Sequence, residues 1–528
     1  MPKQPLSQAG VAFDFYLSLV FSHEHPFAYA WFLSEKNFEM KEETRLPHPL
    51  VATLPVVVLI GLLSVVILLF GSDSLSGGSQ MALLMGTAVC VFISMVFYRV
   101  PWKAFENQFM ETIGGASVTL LILLTVGMIA GSWMISGVVP TLIYYGVQIL
   151  SPQFFLACTC IICSLVSLLS GSSWTTIATI GVALMGIGQA LGVSEAWTAG
   201  AIISGAYFGD KMSPLSDTTI LASSSTGTDL FSHIRYMTRT TTPTYLVTLL
   251  LFFAAGLLLS SSAEVEVSAY TKGLSDTFNI SLWTLLVPLL TGLLIARRVP
   301  SLITLFVSAI MAGITALVLQ PHILQQIAGD SSLSLPAALT HGLAVTYYGS
   351  TAIDTGNASL NEFISTSGMS GMLDTIWLIL CAMCFGASMM ASRMIESITN
   401  VIVRFAHTRL KLVTSTVGTG LFLNVATGDQ FISIILTANA YRQAYSKQNF
   451  KSELLSRTTE DAVTVTSVLI PWNTCGMTQA TVLGVPTLAY LPYCFFNYLS
   501  PLTTILMAAL AQVLANRKQR KAKNVESC

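Results

Sequence analysis

Long apolar runs recur along most of the chain, and they limit the possible folds more than any other feature. Each of the clearest runs is close to the roughly 20 residues that a helix needs to cross a lipid bilayer. The clear runs are residues 51–71, 79–98, 116–136, 154–171, 240–260, 281–296, 301–320, 372–392, 412–426 and 487–514. Shorter or interrupted apolar pieces lie at 174–192, 196–208, 218–224, 430–440 and 462–471. We therefore predict an all-α polytopic membrane protein with roughly a dozen membrane elements, some of them incomplete spans.

The composition excludes most classes of soluble protein. Of the 528 residues, 53% are hydrophobic and only 10% are charged, whereas roughly 25% of residues are charged in an ordinary soluble domain. The formal net charge of -1 leaves no basic excess for a nucleic-acid partner. The sequence has neither a phosphate-binding GxxxxGK[ST] motif nor an HExxH zinc motif, and its nine cysteines are scattered. We therefore expect no enzymatic activity and no bound cofactor.

Lysine and arginine are unevenly distributed among the predicted loops, and this bias sets the expected orientation. The loops at 71–79, 261–280 and 321–335 contain one lysine between them, so we expect them to be external. The C-terminal tail at 516–528 is basic, and we predict that it is cytoplasmic. The other loops predicted to be cytoplasmic carry Arg99, Lys103, His233, Arg235, Arg239, Arg297, Arg298, Arg442, Lys447, Lys451 and Arg457.

The first 48 residues do not resemble a signal peptide. Charged and histidine residues interrupt their apolar stretches, and no small-residue cleavage site follows a clean apolar core. The segment MKEETRLPHP begins at Met40 and would suit a cytoplasmic N-terminus. Two hypotheses follow: translation begins at Met40, or residues 1–39 form an interfacial helix.

Two polar clusters interrupt the apolar runs, and the first lies between residues 171 and 227. Helix breaks and ionisable groups persist inside a bilayer only within protein or beside a water-filled cavity, where they are usually functional. The string GSSWTT at 171–176 directly follows an apolar run, and GDKMSPLSDTT at 209–219 contains a proline that disfavours helix. We predict a re-entrant hairpin tip and a broken helix, whose oxygen ligands would suit a hard cation such as Na⁺. The candidate ligands are Asp210, Asp217, Ser172, Ser173, Thr175, Thr218 and Thr219.

The second cluster has the same order of features. The string TGDQ at 427–430 precedes an apolar stretch, RTTED at 457–461 opens a hydroxyl-rich segment, and PWNTCG at 471–476 ends it. Aligning Gly227 with Gly476 puts Asp217 opposite Thr466. Paired interrupted segments in corresponding halves indicate a transporter with inverted repeats and a site near the membrane midplane. The candidate ligands here are Asp429, Gln430, Thr466, Asn473 and Thr474.

This order divides the chain into six parts. Residues 1–48 are an N-terminal extension and 49–112 are scaffold spans. The first transport repeat covers 113–262 and the second covers 335–515, with linking scaffold spans at 279–322 between them. Residues 516–528 form the basic tail.

Some of the ionisable residues also have simpler interpretations. Asp210 and Lys211 could form an ion pair at a helix end, and Asp217 could be an N-cap. Glu460 and Asp461 adjoin a basic loop, where they could be interfacial caps or functional groups.

The polar clusters also carry strings that are similar to those of a known family. They are GSSWTTIATIGVALMGIG at 171–188, GAYFGDKMSPLSDTTILAS at 205–223, LSRTTEDAVTVTSVLIPWNTCG at 455–476 and LGVPTLAYLPYCFFNYLSP at 483–501. On these strings the chain resembles the NhaC family of sodium/proton antiporters over about residues 50–505. Ile220 is a departure, since many members have Asn there. The resemblance implies secondary transport driven by Na⁺ and H⁺ gradients, inverted repeats with hairpins and broken helices, and location in a bacterial cytoplasmic (inner) membrane.

The resulting hypothesis is Na⁺/H⁺ antiport, in which Na⁺ and H⁺ compete for one membrane-embedded carboxylate. Asp217 is the first candidate for this carboxylate, and Asp210 or Asp429 is the second. Asp217 and Asp429 are the expected sodium ligands. The alternative is Na⁺/H⁺-coupled transport of an organic acid (malate or lactate type) or an amino acid. Its carboxylate would face half-helix N-termini, or Lys211 and Arg393. A non-transporting membrane assembly factor is a third possibility.

The expected partners follow from these hypotheses. They are Na⁺ and Li⁺, protons, the lipid bilayer and a second copy of the chain in a homodimer, and the alternative adds a small organic anion. Arg393 and Glu396 lie three residues apart on one helix face and are predicted to pair with each other.

Overall fold

The computed structural model describes residues 46–70, 77–259, 264–329, 332–355, 358–404 and 407–526. Within these ranges the chain is helical, and the one β-type contact is an isolated bridge between Thr351 and Thr366. The predicted all-α fold is therefore confirmed. The hypotheses about Met40 and residues 1–39 lie outside the described residues.

The helices before the first polar cluster form a small packed group with one later helix. They are α1 (Pro49–Phe70), α2 (Gly78–Tyr98) and α3 (Trp102–Gly115). Both α2 and α3 pack against α18 (Leu373–Ala391), which precedes the second polar cluster.

The first polar cluster lies within a run of consecutive helices. They are α4 (Ser117–Ile135), α5 (Val138–Ile149), α6 (Pro152–Ser170), α7 (Ser173–Thr176), a π segment (Ile177–Gly181), α8 (Val182–Ala190), α9 (Glu195–Met212), α10 (Asp217–Thr226) and α11 (Leu230–Leu259).

A middle group of helices connects the two clusters. They are α12 (Glu264–Thr277), α13 (Leu286–Ala296) with a preceding 3₁₀ turn (Leu282–Leu285), α14 (Ser301–Leu319), α15 (Pro321–Ala328), α16 (Leu335–Tyr348) and α17 (Ala358–Ile364). Both α14 and α16 pack against α4.

The second polar cluster lies within a matching run. After α18 come α19 (Met394–Arg404), α20 (Arg409–Thr427), α21 (Gln430–Lys447), α22 (Ser452–Thr459), a second π segment (Glu460–Thr464), a 3₁₀ turn (Ser467–Leu469), α23 (Thr474–Leu483), α24 (Thr487–Tyr490), a 3₁₀ turn (Leu491–Tyr493) and α25 (Phe495–Glu526).

Eight helices in the described part of the chain are long and apolar enough to cross a membrane. They are α1, α2, α4, α6, α11, α14, α18 with the short turn before it, and α25. A ninth candidate is the pair formed by Tyr270–Thr277 and Leu282–Ala296, which is bent by 92° at its break. The polytopic membrane class is thus confirmed, and the segments that carry the polar clusters are shorter and interrupted, as predicted.

The two runs of helices repeat each other at an almost constant spacing. α6 and α20 each have 19 residues and start 257 residues apart (409 minus 152). α10 and α23 each have 10 residues and are also 257 apart (474 minus 217). α4 and α18 each have 19 residues and are 256 apart (373 minus 117). We call α4–α10 the first repeat and α18–α23 the second repeat.

Apolar side chains cover the outside of the helices, and hydroxyl groups are abundant inside. Leu68 and Leu258 are 84% and 85% exposed, which suits contact with lipid chains. Inside, buried Ser and Thr side chains donate to backbone carbonyls of the preceding turn, as Thr226 and Thr478 do. The interior is therefore polar enough to hold an ion, since many of its hydroxyl groups are already paired with backbone carbonyls.

Candidate functional site

Each repeat contains a tight turn between two helices, built on a glycine. Gly171 ends α6 with a φ of 65°, and Gly428 ends α20 with a φ of 66°. This left-handed conformation favours glycine. At Gly171 there is also no room for a side chain, because a Cβ would lie 2.7 Å from the backbone carbon of Leu215. A Cβ on Gly428 would be tight, at 3.3 Å from the carbonyl oxygen of Trp472.

The residue after each glycine caps the next helix. The Ser172 hydroxyl accepts a hydrogen bond from the backbone N–H of Thr175 at 3.2 Å. The Asp429 carboxylate accepts one from Ile432 at 3.0 Å. These caps satisfy N–H groups that a helix start leaves unpaired, and the positive end of the helix dipole favours the negative charge of Asp429.

The second feature of each repeat is a helix break that contains a proline. α9 ends at Met212, and α10 begins after Pro214 with Ser216 as its N-cap. In the second repeat, α23 begins after Pro471 with Asn473 as its N-cap, whose side chain accepts from Cys475 N–H at 3.1 Å. Both helix breaks therefore lie at prolines, as predicted from the sequence.

The helix bounds correct the alignment of the two clusters. Asp217 is the first residue of α10 and Thr474 is the first residue of α23, so Asp217 lies opposite Thr474 and not Thr466. Likewise Gly227 ends α10 and Gly484 ends α23, each with a positive φ, whereas Gly476 lies inside α23. The sequence alignment was wrong by eight residues because it matched glycines and not the prolines at the breaks.

In the first repeat, the turn and the helix before the break meet through Ser173 and Asp210. The Asp210 carboxylate accepts a hydrogen bond from the Ser173 hydroxyl at 2.7 Å and from the Ser173 backbone N–H at 3.1 Å. Both side chains are buried. The two donors offset part of the cost of burying this carboxylate, and a carboxylate oxygen in this position is a suitable ligand for a small cation.

The second repeat has a corresponding contact with different residues. The Ser467 hydroxyl donates to the Gln430 side chain at 3.2 Å, and both positions lie 257 residues after Asp210 and Ser173 (467 minus 210, and 430 minus 173). The carboxylate of this repeat is Asp429, one residue earlier, and it accepts from the Thr474 hydroxyl at 3.4 Å. Each repeat therefore brings one buried carboxylate to the contact between its turn and its break.

Further polar side chains extend the second cluster. The amide of Asn424 on α20 donates to the Thr466 hydroxyl at 3.1 Å and to the carbonyl of Val463 at 2.8 Å. Asn473 donates to the carbonyl of Asn424 at 3.1 Å. Thr466 and Asn473, both predicted from sequence, are thus joined through Asn424, which was missed because it lies inside an apolar span.

The two repeats pack against each other at these breaks. α10 packs against α21 and α22, and α23 packs against the π segment Ile177–Gly181. The side chains of Trp174 and Tyr207, both of the first repeat, lie beside Cys475 at the start of α23. The turns and breaks of the two repeats therefore contact each other inside the protein.

Other predicted ligands have local roles in this conformation. Ser172 also accepts from the Thr175 hydroxyl at 3.0 Å, and the Thr219 hydroxyl donates to the carbonyl of Lys211 at 3.0 Å. The Thr218 hydroxyl pairs with that of the N-cap Ser216. Asp217 is exposed at the start of α10. The two expected sodium ligands are therefore in different settings, since Asp429 is buried and Asp217 is not. Among the described residues, no three acidic, histidine or cysteine side chains are placed together so that they could hold a metal ion.

A buried charge network at Asp461 was not predicted. The carboxylate is fully buried and forms an ion pair with Lys211 of α9, and it also accepts from three hydroxyl groups. The Nε atom of Arg457 lies 3.7 Å away. Lys211 therefore pairs with Asp461 and not with the adjacent Asp210, and Arg457 is buried within α22 and does not lie in a loop. The hydroxyl donors to Asp461 are Thr240 at 2.9 Å, Ser500 at 3.1 Å and Thr504.

The structure also tests the predictions for Arg393 and His233. The Arg393 guanidinium bonds the Glu396 carboxylate at 2.8 Å and 3.0 Å, so this predicted pair is confirmed. His233 lies in a stretch expected to be cytoplasmic, but its side chain is fully buried and its Nδ1 atom is 2.7 Å from the Ser456 hydroxyl.

Comparison with known proteins now identifies the family. A family model described as the Na⁺/H⁺ antiporter family matches residues 205–511, which include α10 and the whole second repeat. The chain belongs to the Na⁺/H⁺ antiporter family. It is 37% identical to the Na⁺/H⁺ antiporter NhaC of Alkalihalophilus pseudofirmus over 439 residues, which cover 81% of this chain and 92% of that protein.

Two further relatives show the range of the family. The Na⁺/H⁺ antiporter NhaC of Bacillus subtilis is 34% identical over 423 residues, covering 80% of this chain and 90% of that protein. The malate-2H⁺/Na⁺-lactate antiporter of the same organism is 33% identical over 401 residues, covering 76% of this chain and 82% of that protein. The predicted resemblance to the NhaC family is confirmed.

Proposed function

We propose that this chain is a secondary active antiporter that exchanges Na⁺ for H⁺ across a membrane. The observation that carries the proposal is the meeting of two interrupted elements, one from each repeat, with a buried carboxylate in each. Asp210 is held by Ser173, and Asp429 caps α21 and accepts from Thr474. Buried carboxylates beside helix breaks inside a membrane protein are typical of ion pathways.

The same elements suggest how the ion is held. The carboxylate oxygens of Asp210 and Asp429 would supply the charge, and hydroxyl and carbonyl oxygens freed at the breaks would complete the coordination of a small hard cation. Asp217 begins α10 in an exposed position near Asp210, where an arriving cation would meet it first. We retain Asp217 as an ion-coupling residue on this basis, with Li⁺ as a second substrate.

The positive side chains of the interior favour a cation over an organic anion as the substrate. Lys211 pairs with Asp461, and Arg457 also faces Asp461. Arg393, which is outside this interior and only partly buried, pairs with the exposed Glu396. A substrate carboxylate would have to compete with these partners, whereas a cation would not.

Three finer points belong to the same proposal. The two repeats are inverted relative to each other and form the two transport units, an arrangement that many alternating-access transporters use. The protein lies in a bacterial cytoplasmic membrane with its basic C-terminal tail inside. A homodimer is the proposed assembly.

Reconstitution in liposomes tests the proposed function. The vesicles contain a pH dye, and a pulse of Na⁺ is added without any organic anion. We expect an internal pH change that requires Na⁺ or Li⁺ and that is lost in Asp210→Asn and Asp429→Asn. The matched control is Asp276→Asn, since Asp276 is exposed on α12 and far from both clusters in sequence. A pH change that appears only after malate, lactate or an amino acid is added would refute plain cation exchange and establish the alternative.

A further inference from the structure

Glu460 is a buried carboxyl group whose role the ion site described above does not explain. It is the first residue of the π segment Glu460–Thr464 in the second repeat. Its side chain is fully buried, and neither of its carboxyl oxygens makes a hydrogen bond of normal geometry among the described residues. The nearby hydroxyl group that acts on it is that of Thr464, in the same π segment. π segments within helices are often found at functional sites.

The contrast with the next residue makes this setting informative. Asp461 is equally buried, but it has Lys211, Arg457 and three hydroxyl donors around it. Two adjacent and equally buried carboxyl groups therefore have opposite surroundings, one with several donors and one with almost none. A buried carboxylate without donors bears the full cost of lost hydration, whereas a neutral carboxyl bears far less. The structure thus suits a charged Asp461 and a proton-carrying Glu460.

The charged neighbours of Glu460 connect it to the ion site. Lys211 and Asp210 of α9 and the adjacent Asp461 are the charged groups that act on it. Asp210, which accepts from Ser173, belongs to the proposed ion site, so Glu460 is connected electrostatically to that site through Asp210.

The other elements packed against this π segment contribute mainly neutral groups. They are α10, α20, α21, α22 and α25. On α21, the buried Tyr441 hydroxyl pairs with Thr419 of α20. On α10, Asp217 is exposed. On α22, Arg457 faces Asp461 and Glu453 lies in the first turn. α25 supplies the hydroxyl groups that donate to Asp461.

We propose that Glu460 carries the proton of the exchange cycle and that it is distinct from the residues that bind Na⁺. This inference rests on the proposed function. Two neighbouring carboxyl groups resist simultaneous ionisation, so an empty ion site with a charged Asp210 favours a proton on Glu460. When Na⁺ binds near Asp210, its positive charge offsets this repulsion. The O–H bond of Glu460 then breaks, the proton passes to water, and the carboxylate keeps the electron pair. One positive charge enters the interior and one leaves it.

The test uses Glu460→Gln, because the amide has the shape of the protonated carboxyl group but cannot release a proton. Two measurements are made on the same full-length protein in liposomes: the pH change driven by a Na⁺ gradient, and the exchange of radioactive Na⁺ for unlabelled Na⁺ at constant pH. We expect the variant to keep Na⁺/Na⁺ exchange and to lose the Na⁺-driven pH change. Glu453→Gln, in the first turn of α22, is the matched control and should keep both activities.

The outcomes separate this inference from the proposed function. A wild-type protein without a Na⁺-driven pH change would refute the proposed function itself. If the wild type is active and Glu460→Gln still moves protons, the inference is wrong. Loss of both activities in a Glu460→Gln protein that remains monodisperse would also overturn it, since Glu460 would then serve Na⁺ binding or the fold.

A second variant guards against a folding defect. Glu460→Asp keeps a titratable group but places it one methylene further back. We expect Na⁺-driven proton movement to persist with a displaced pH profile. A pH profile identical to that of the wild type would count against proton transfer at this residue.

Discussion

Removing the charge of Asp461 tests whether the buried charge network holds the two repeats together. In Asp461→Asn, the amide oxygen can still accept, and the neighbouring hydroxyls can rotate to accept from the amide N–H₂. Lys211 and Arg457, however, would lose the anion between them. Breaking a buried ion pair by removing one partner costs about 3–5 kcal/mol, and two cations left without an anion place this variant at about 5 kcal/mol.

Removing the cation of this ion pair should destabilise the protein less than removing the anion. In Lys211→Met, Asp461 keeps Arg457 at 3.7 Å and its three hydroxyl donors, so we expect a loss of about 3 kcal/mol. The matched control is Lys103→Met, because Lys103 pairs with Glu106 at 3.1 Å but its side chain is 70% exposed. A surface pair of this kind contributes less than about 1 kcal/mol.

The assay is equilibrium unfolding of the purified protein in detergent, with wild type and variants measured under the same conditions. The expected order of destabilisation is Asp461→Asn, then Lys211→Met, then Lys103→Met. The double variant Lys211→Met/Asp461→Asn should regain only part of the loss, because Arg457 still lacks a partner. Equal stabilities of Lys211→Met and Lys103→Met would refute the reasoning, since burial would then add nothing to the ion pair.

Three further predictions concern the turns and the breaks. Gly171→Ala should destabilise the protein by more than about 1 kcal/mol in thermal unfolding, because Gly171 has a positive φ and a close backbone contact. The control Gly418→Ala, in open space within α20, should be neutral or slightly stabilising. Ser173→Ala should raise the Na⁺ concentration for half-maximal exchange on the order of tenfold, since a buried carboxylate loses a donor; an unchanged value would remove Ser173 from the site. Asn473→Ala should lose about 1 kcal/mol with the N-cap and should also slow exchange, whereas Thr408→Ala, which removes the cap of α20, should affect stability alone.

Part of the candidate site could be predicted because its signals are local. A proline changes the backbone of its own turn, and a glycine with positive φ followed by a capping side chain ends one helix and begins another within three residues. The strings around Gly171, Pro214, Gly428 and Pro471 therefore indicated the turns and the breaks without knowledge of any tertiary contact.

The alignment of the repeats failed for a related reason. Few residues are identical between the two halves, and a glycine at a helix end looks the same in sequence as a glycine inside a helix. Gly476 was matched on this basis, although Gly484 has the positive φ that ends α23. The pair Pro214 and Pro471 would have given the correct spacing, because each proline marks a break.

The sequence by itself determined the all-α membrane class, the positions of the breaks and the polar character of both clusters, because apolar run length, proline and capping residues act over a few neighbouring positions. The tertiary structure alone decided which partners the buried charged groups have. Lys211 meets Asp461, a residue 250 positions away, and does not pair with the adjacent Asp210. Asp461 gains donors from three helices, whereas no other helix in the described part of the chain supplies a hydrogen bond to Glu460. A side chain's partners depend on how distant helices pack, so two neighbouring carboxyl groups with the same local sequence can have opposite roles.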